Sequence, residues 1–334
     1  MKNDNSPHPV ALHNLYRIRK RTYILWGGKM DIKINDIVGR KSYQCDIPFR
    51  VIHIYEEDGK SYALLYGKEL RLIADAPLDD LVVLDMERTE KLTAPYRELE
   101  EQITHSVRQK YRNVRMQKKL LDESNHEINH QLFQMPGKVL HVDGDPNYLK
   151  RCLALYKKIG VPVYGIYCKE SEMAEKVPVW VEEIRPDILV ITGHDSYSRQ
   201  KGKKTELHSY RHSKDFVETV KAVRKKYPDR DQLIIFAGAC QSHFESLIGA
   251  GANFASSPAR INIHALDPVY IVAKLSYTPF TERLRIWDVL RNTITGEKGI
   301  GGIETKGVLR VGMPYHPDMN DIEHGDTRHH HSDQ

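Results

Sequence analysis

The chain has 334 residues, of which 40% are hydrophobic and 28% charged, and its formal net charge is +5. These values are typical of a soluble globular protein and exclude a largely disordered chain. No apolar run reaches the roughly 20 residues of a membrane-spanning helix, so we expect no membrane partner. Basic clusters at 17–21, 108–119 and 201–204 are interpreted as solvated surface, and nucleic acid is not an expected partner.

Residues 1–29 differ in character from the rest of the chain, where a strand-like pattern begins directly after Met30. Trp26-Gly-Gly-Lys29 precedes Met30, and its G-rich codons resemble a translated ribosome-binding site. We interpret 1–29 as an extension that is not native or that forms a disordered arm, with Met30 as the natural start. The polar, histidine-rich residues 317–334 are predicted to be a disordered tail.

Residues 31–85 are predicted to form a small β domain of four or five short strands. Two of these strands are Phe49–Tyr55 and Tyr62–Tyr66, and Glu56-Glu-Asp-Gly59 between them is a hairpin signal. Short strands at this spacing indicate an SH3-like barrel. Such a barrel would serve for docking to a protein or as a structural appendage.

Apolar residues at helical spacing predict a helical connector over 87–135. They are Tyr96, Leu99, Ile103, Val107, Tyr111, Val114 and Leu121. Pro95 suits the first turn of this helix, and Met135-Pro136-Gly137 suits its end. Because the spacing does not hold a strict 3.5-residue period, we expect packing on the neighbouring domain rather than a dimerising coiled coil.

Residues 137–315 alternate between strand and helix patterns, which predicts an α/β domain with a mainly parallel sheet and helices on both faces. The predicted strands are 138–143, 161–167, 188–192, 233–237 and 253–256, and the predicted helices are 147–159, 172–184, 215–226 and 241–248. Two further helices at 268–275 and 282–291 and an antiparallel pair around 302–311 complete the domain.

The four cysteines are Cys45, Cys152, Cys168 and Cys240. They form no Cys-x-x-Cys pair and show no metal-ligand spacing, so we predict neither a metal nor a cofactor. The pattern is typical of a reduced, intracellular protein. Cys152 and Cys168 lie in apolar segments, and we expect both to be buried thiols.

Two of the predicted strands run directly into reactive side chains. The apolar run 188–192 leads into Gly193-His194-Asp195, and the run 233–237 leads into Gly238-Ala239-Cys240. Ligands of open α/β sheets bind beyond the carboxyl ends of such strands. If the strands are neighbours, His194 and Cys240 emerge side by side as a base and a thiol nucleophile. We expect the helix predicted after Cys240 to lower the pKa of the thiol.

The order of His194 and Cys240 resembles the caspase-like (clan CD) cysteine peptidases, which include clostripain, gingipain and separase. From Met30 to about residue 315 the chain more closely resembles the YabG family of sporulation-specific proteases. The motifs that carry this resemblance are Val38-Gly-Arg-Lys-Ser-Tyr43, Arg71-Leu-Ile-Ala-Asp-Ala76, Ile191-Thr-Gly-His-Asp195 and Phe236-Ala-Gly-Ala-Cys240. Two positions depart from the wider clan, which has glycine after the histidine and an acid two residues before the cysteine.

The resemblance implies a caspase-like α/β domain and a cysteine endopeptidase that processes spore coat and cortex-associated proteins after arginine. The resemblance also implies that this endopeptidase acts in the mother-cell cytoplasm, at the forming spore coat. Cys240 would attack the peptide carbonyl, and His194 would protonate the leaving amine. Backbone N–H groups of Cys240 and of the turn from Gly193 to Asp195 would hold the oxyanion, with the Asp195 carboxylate pointing away from it.

A substrate arginine needs a carboxylate partner. Asp143 and Asp145 end the first strand of the α/β domain, at the edge where the catalytic pair is expected, and both are our candidates. An ordinary role in the Asp-Gly-Asp-Pro turn is the alternative for both.

Two other functions fit parts of this sequence. Gly238-Ala-Cys240-Gln-Ser resembles the nucleophile elbow of a glutamine-amidotransferase-like hydrolase, whose base would be His264 or His316. Asp143 and Asp145 also resemble the acidic pair of a receiver-like domain, which would suit a non-enzymatic spore coat scaffold. The phosphoacceptor should end the third central strand, but Thr192 stands near that place, which disfavours phosphoryl signalling.

Overall fold

The computed structural model describes the backbone of residues 32–124 and 133–312, and the side chains of residues 32–109 and 134–312. The interpretations of residues 1–29 and 317–334 therefore concern parts of the chain outside the described residues. Within the described part, no helix has a stretch that is both long and apolar enough to cross a membrane.

Five short strands form an antiparallel sheet near the start of the described chain. They are β1 (Ile37–Arg40), β2 (Phe49–Glu57), β3 (Lys60–Gly67), β4 (Ile73–Pro77) and β5 (Leu81–Val83), in the order β4-β3-β2-β1-β5. Asp58 and Gly59 join β2 to β3 with φ values of 50° and 72°, the left-handed conformation that a two-residue hairpin needs. The predicted hairpin and number of strands are confirmed.

A long helix, α1 (Met86–Ser124), connects this sheet to the rest of the chain. Ile103 and Val107 are each 6% exposed and belong to the apolar core of the α/β part, which confirms the predicted packing. The predicted ends of this helix are wrong. Asp85 accepts the N–H of Arg88 at 2.7 Å and caps an earlier first turn, so that Pro95 lies inside the helix. The helix does not reach Met135, because Phe133–Met135 form a strand.

The strands and helices that follow alternate as the sequence predicts. They are β6 (Phe133–Met135), β7 (Val139–Asp143), α2 (Pro146–Ile159), β8 (Val163–Tyr167), α3 (Glu170–Ile184), β9 (Ile188–Thr192), α4 (Ser213–Lys226), β10 (Ile234–Ala237), α5 (Phe244–Ala250), β11 (Phe254–Ser256) and α6 (Asp267–Ser276). The last elements are β12 (Arg283–Leu284), α7 (Ile286–Leu290), β13 (Ile300–Gly302), β14 (Thr305–Lys306) and β15 (Arg310–Gly312).

The main sheet has the order β8-β7-β9-β10-β11-β13, and only β13 runs antiparallel to its neighbour. Its side chains alternate between two apolar cores, one shared with α1, α2 and α6 and the other with α3, α4 and α5. The prediction of a mainly parallel sheet between two layers of helices is confirmed. Cys152 and Cys168 are buried free thiols, as predicted.

The predicted pairing near residues 302–311 is wrong. The strand β13 pairs with β11, β14 pairs with β12, and β15 pairs with β6, so these strands do not pair with one another. The predicted helix at 282–291 begins with β12 and is helical only in α7. Strands of two or three residues carry no periodicity of their own, so tertiary position decides which strand each one meets.

Phe236 on β10 tests the contribution of this core. It is 1% exposed, and we expect Phe236→Ala to lower the free energy of unfolding by about 3–5 kcal/mol, because the truncation leaves a cavity. Val179 on α3 is 49% exposed, and Val179→Ala should change the free energy of unfolding by no more than about 0.5 kcal/mol. Urea denaturation measures both values, and similar losses in the two variants would contradict this core.

Candidate functional site

The strands β9 and β10 bring the predicted base and nucleophile to one edge of the sheet. The two strands are parallel neighbours, and Ile191 lies directly opposite Ala237 in their register. His194 comes as many residues after Ile191 as Cys240 comes after Ala237. Because neighbouring strands are about 4.8 Å apart, the two residues emerge next to each other beyond the carboxyl ends. We call the space between His194, Cys240 and Ile263 the cleft.

Cys240 is almost completely buried beyond the end of β10 and is 1% exposed. Its thiol donates to the backbone carbonyl of Arg71, with an Sγ–O distance of 2.8 Å, and accepts the N–H of Ile263 at 3.3 Å. Burial raises the pKa of Cys240 to about 12. The expected lowering of this pKa is wrong, because α5 begins only at Phe244 and a turn with Gln241 at φ 57° separates the thiol from the helix.

His194 lies between two carboxylates. Its Nε2 is 3.4 Å from Asp145 Oδ2, and its Nδ1 is 3.7 Å from Glu170 Oε1. Nε2 is buried and has no hydrogen-bond partner among the described residues. The backbone N–H of His194 donates to Glu170 Oε1 at 2.8 Å. The imidazole is therefore oriented by acidic neighbours while one of its nitrogens remains available for a proton.

Glu170, the first residue of α3, supports this turn, and the sequence analysis missed it. A Cβ on Gly144 or on Gly193 would lie 2.1 or 2.4 Å from Glu170 Oε1, so glycine at both positions makes room for the carboxylate. Burial raises the pKa of Glu170, but hydrogen bonds from His194 prevail and hold it below its ordinary value. The sequence contained one signal for Glu170: it is an acidic residue that shortly follows β8, whose carboxyl end lies at the same edge of the main sheet.

The Asp195 carboxylate is held by two serine hydroxyls and two backbone N–H groups. It accepts hydrogen bonds from the hydroxyls of Ser213 and Ser242 and from the N–H groups of Ser196 and His212. Burial raises its pKa above the ordinary value. Four donors thus engage this carboxylate.

Asp143 holds an arginine that comes from the loop between β3 and β4. Arg71 Nη1 lies 2.8 Å from each of the two Asp143 oxygens, and both side chains are fully buried. The Arg71 guanidinium also lies over the ring of Tyr148, 4.8 Å from its centroid. Burial opposes ionisation of Asp143, but the Arg71 charge prevails and holds its pKa well below the ordinary value.

The chain around Arg71 lies beside Cys240, and we call it the Arg71 segment (Glu69–Leu72). It turns at Arg71, where the Leu72 N–H donates to the Leu70 carbonyl at 2.9 Å. The Arg71 N–H donates to the Ile263 carbonyl at 3.1 Å, and the Glu69 carbonyl accepts the Ala265 N–H at 3.1 Å. An antiparallel bridge pairs Leu70 with His264 between them. This pairing brings the Arg71 carbonyl to the Cys240 thiol.

Tyr148 holds the same segment from the side of α2. Its hydroxyl donates to the Leu70 carbonyl at 2.8 Å and accepts the Leu72 N–H at 3.1 Å. The ring of Tyr148 also neighbours His194, with 6.0 Å between the ring centroids. The peptide bond between Arg71 and Leu72 is therefore bordered by the hydroxyl of Tyr148 on its nitrogen side and by Cys240 on its carbonyl side.

Asp145 has a different role from Asp143. Its Oδ1 accepts the N–H groups of Asn147 and Tyr148 at 2.7 and 2.9 Å, which caps the start of α2. The same atom accepts the Tyr66 hydroxyl at 2.8 Å. Of the two candidate acids, Asp143 contacts an arginine, whereas Asp145 caps a helix and faces His194.

His264, the alternative base, does not face the Cys240 thiol. Its Nε2 lies 3.7 Å from Glu69 Oε2, and its ring stacks on Tyr96 with 5.7 Å between the centroids. The other alternative base, His316, lies outside the described residues. The receiver-like reading gains no support either, because Asp143 is paired with Arg71 rather than free to bind a cation.

One group of possible metal ligands lies beside the cleft. Oxygen or nitrogen atoms of Glu69, Glu100 and His264 are within 4.8 Å of one another, the one such group found among the described residues. Arg151 already pairs with Glu69 at 3.0 Å, so a positive charge occupies this place and opposes a cation.

The buried pair of Arg71 and Asp143 predicts a large effect of Asp143→Asn on stability. This variant should lower the free energy of unfolding by about 3–5 kcal/mol, because Arg71 keeps a buried charge without its counter-charge. The double variant Arg71→Met/Asp143→Leu removes both charges and should recover most of the loss. Urea denaturation at pH 7 measures the three proteins, and a double variant no more stable than Asp143→Asn would refute the expectation.

The same pair makes stability depend on pH. Because the pKa of Asp143 is lower in the folded chain, the unfolded chain takes up the proton first as the pH falls. The stabilisation is complete well above the ordinary carboxyl pKa of about 4 and decreases as the pH falls below it. Between pH 5 and pH 3, wild type should lose more unfolding free energy than Arg71→Met/Asp143→Leu, as urea midpoints will measure. Parallel pH profiles would contradict this assignment.

Comparison with known proteins adds the family. The sequence model of a family described as YabG peptidase U57 matches residues 33–314. The sporulation-specific protease YabG of Bacillus subtilis (strain 168) is 58% identical to this chain over 287 residues, which are 86% of this chain and 99% of that protein. Both similarities extend over nearly all of the described residues, and the chain belongs to the YabG peptidase family.

Proposed function

We propose that the chain is a cysteine endopeptidase that cleaves polypeptides after arginine, with Cys240 as nucleophile and His194 as base. The observation that carries this proposal is the pose of Arg71, whose side chain meets Asp143 while its carbonyl lies 2.8 Å from the Cys240 sulfur. A substrate arginine in the same position would present its scissile carbonyl to the thiol. The sheet order and the placement of the two residues support a caspase-like domain.

The chemistry follows from these positions. His194 takes the thiol proton of Cys240 as the sulfur forms a bond to the substrate carbonyl carbon, and the carbonyl oxygen takes up negative charge. Backbone N–H groups of Cys240 and of the turn from Gly193 to Asp195 stabilise that oxyanion, but the N–H of His194 donates to Glu170 instead. The C–N bond then breaks, and His194 gives its proton to the departing amine. In the second half of the reaction His194 takes a proton from the attacking water and returns it to the sulfur as the carbon–sulfur bond breaks. Tyr148, as a positioning residue, holds the leaving nitrogen as it holds Leu72.

Family membership and the similarity to a sporulation-specific protease support a role in sporulation. We propose that the substrates are spore coat and cortex-associated proteins, processed in the mother cell at the forming coat. The five-stranded sheet, which we propose to be SH3-like, carries the Arg71 segment into the cleft and would also serve as the docking module. A site that pairs with a backbone segment at a sheet edge suits protein substrates.

The thiol is tested by incubating the purified full chain with a basic protein and identifying the new termini by mass spectrometry. Wild type should produce new carboxyl termini at arginine, and Cys240→Ala should produce none, because the nucleophile is absent. Cys168→Ala removes another buried thiol and should retain cleavage. Cleavage that persists in Cys240→Ala would refute the proposed nucleophile.

The base is tested by comparing two histidine variants on a fluorogenic arginine peptide. His194→Ala should lower kcat/KM by about a thousandfold or more, because proton transfer to the leaving group is lost. His264→Ala should lower it far less, and through KM, because His264 faces the bound segment rather than the thiol. The reverse order would favour the amidotransferase-like alternative.

A further inference from the structure

We propose that the Arg71 segment is a tethered substrate mimic that fills the cleft of the resting chain, and that its register marks the subsites of an incoming polypeptide. In this register an arginine binds Asp143, and an acidic side chain two positions earlier binds Arg151 and His264. The inference rests on the proposed peptidase function and adds both the occupant of its site and a second recognition element.

From Glu69 to the Arg71 N–H, the backbone of the segment is bound as the part of a peptide substrate before the scissile bond would be bound. Beyond that point the chain turns, and the Leu72 N–H donates to the Leu70 carbonyl at 2.9 Å. Peptides commonly add a strand to an exposed backbone edge, where main-chain hydrogen bonds give affinity and side-chain pockets give specificity. Here Arg71 and Glu69 use their backbone groups to pair with Ile263 and Ala265, at 3.1 Å each. The side chains of these two residues enter separate polar pockets and are almost completely buried.

The segment also prevents access to the sulfur. Cys240 is 1% exposed, and the Arg71 carbonyl accepts its thiol hydrogen. The ends of the segment continue into β3 and β4, so the two strands hold it in place. A tethered ligand has an effective concentration in the millimolar range, and a free peptide must compete with it. The apparent affinity for substrate is then reduced by the fraction of chains with an open cleft.

The second pocket is built around the Glu69 carboxylate, which is 8% exposed as a residue. Arg151 lies 3.0 Å from Glu69 Oε2 and uses its other terminal nitrogen to contact the Lys68 carbonyl at 2.6 Å. His264 is completely buried, and its Nε2 has no hydrogen-bond partner in the described part of the chain, although it lies 3.7 Å from the same oxygen. Glu100 also borders this pocket. The groups that can donate to a bound carboxylate are Arg151 and the imidazole of His264.

When the segment leaves, Asp143 loses its counter-charge and Arg151 loses its acid. Both pockets then favour a ligand that restores the lost charge, because an unpaired group in a buried site costs free energy. A polypeptide with arginine before the scissile bond and aspartate or glutamate two residues earlier would satisfy both pockets at once. The substrate class that follows is an acidic residue, any residue, then arginine.

Occupation of the cleft is tested with the fluorogenic peptide acetyl-Glu-Leu-Arg-aminomethylcoumarin. In Arg71→Gln we expect KM to fall about tenfold or more, with kcat changed by less than about threefold, because the competing segment no longer fills the arginine pocket. Arg50 is an exposed arginine on β2, and Arg50→Gln should leave both constants unchanged. An equal KM in wild type and Arg71→Gln would overturn the proposal.

A second measurement does not depend on catalysis. In a Cys240→Ala background, agmatine, a small guanidinium ligand, should raise the Tm of Arg71→Ala and leave that of the chain with Arg71 intact unchanged. An equal shift in both proteins, or none in either, would overturn occupation of the pocket. If agmatine distinguishes them but Arg71→Gln with its thiol cleaves no peptide, the peptidase proposal fails while occupation of the pocket stands.

The acid pocket is tested in the Arg71→Gln enzyme with matched peptides that carry Glu, Gln or Lys two positions before the arginine. We expect about a tenfold higher kcat/KM for Glu than for Gln, which corresponds to about 1.4 kcal/mol of added transition-state binding. Arg151→Glu should reverse the order and favour Lys. Equal rates for Glu and Gln, or an order that Arg151→Glu does not change, would overturn the acid pocket.

Discussion

The buried ion pair between Arg71 and Asp143 is the interaction on which the arrangement of the site depends. It joins a loop of the small β-sheet to the end of the first strand in the main sheet, and neither side chain reaches solvent. Removing two charges from water is costly, and their attraction repays the cost only when the geometry is good. The pair therefore fixes the position of its loop closely, and that position brings the Arg71 carbonyl to Cys240.

The proposed nucleophile is held as a protonated thiol in this arrangement. Burial raises the pKa of Cys240, and its hydrogen is donated to the carbonyl of the neighbouring segment. His194 lies between Asp145 and Glu170, and its Nε2, which is 3.4 Å from Asp145, makes no hydrogen bond within the described chain. The nucleophile thus depends on what fills the cleft, whereas the orientation of the imidazole depends on the fixed acids around it.

The backbone at Gly238 leaves no room for an acidic side chain beside Cys240. The wider clan is expected to carry an acid at the position of Gly238, but this residue has a φ of 106°, which L-residues rarely adopt. A Cβ there would also lie 2.5 Å from Ser256 Oγ. The side chain that meets an arginine comes instead from Asp143, at the end of the neighbouring part of the sheet.

The sequence by itself determined the order of the main elements, the hairpin of the β-sheet, and His194, Cys240 and Asp143 as residues at one edge. It could do so because long apolar runs mark buried strands, and the residue after such a run lies at the edge of the sheet. Only the tertiary structure decided the partners of these residues. Arg71 and Glu170 reach the cleft from a loop and a helix far away in the chain, and no local periodicity records a contact between distant segments.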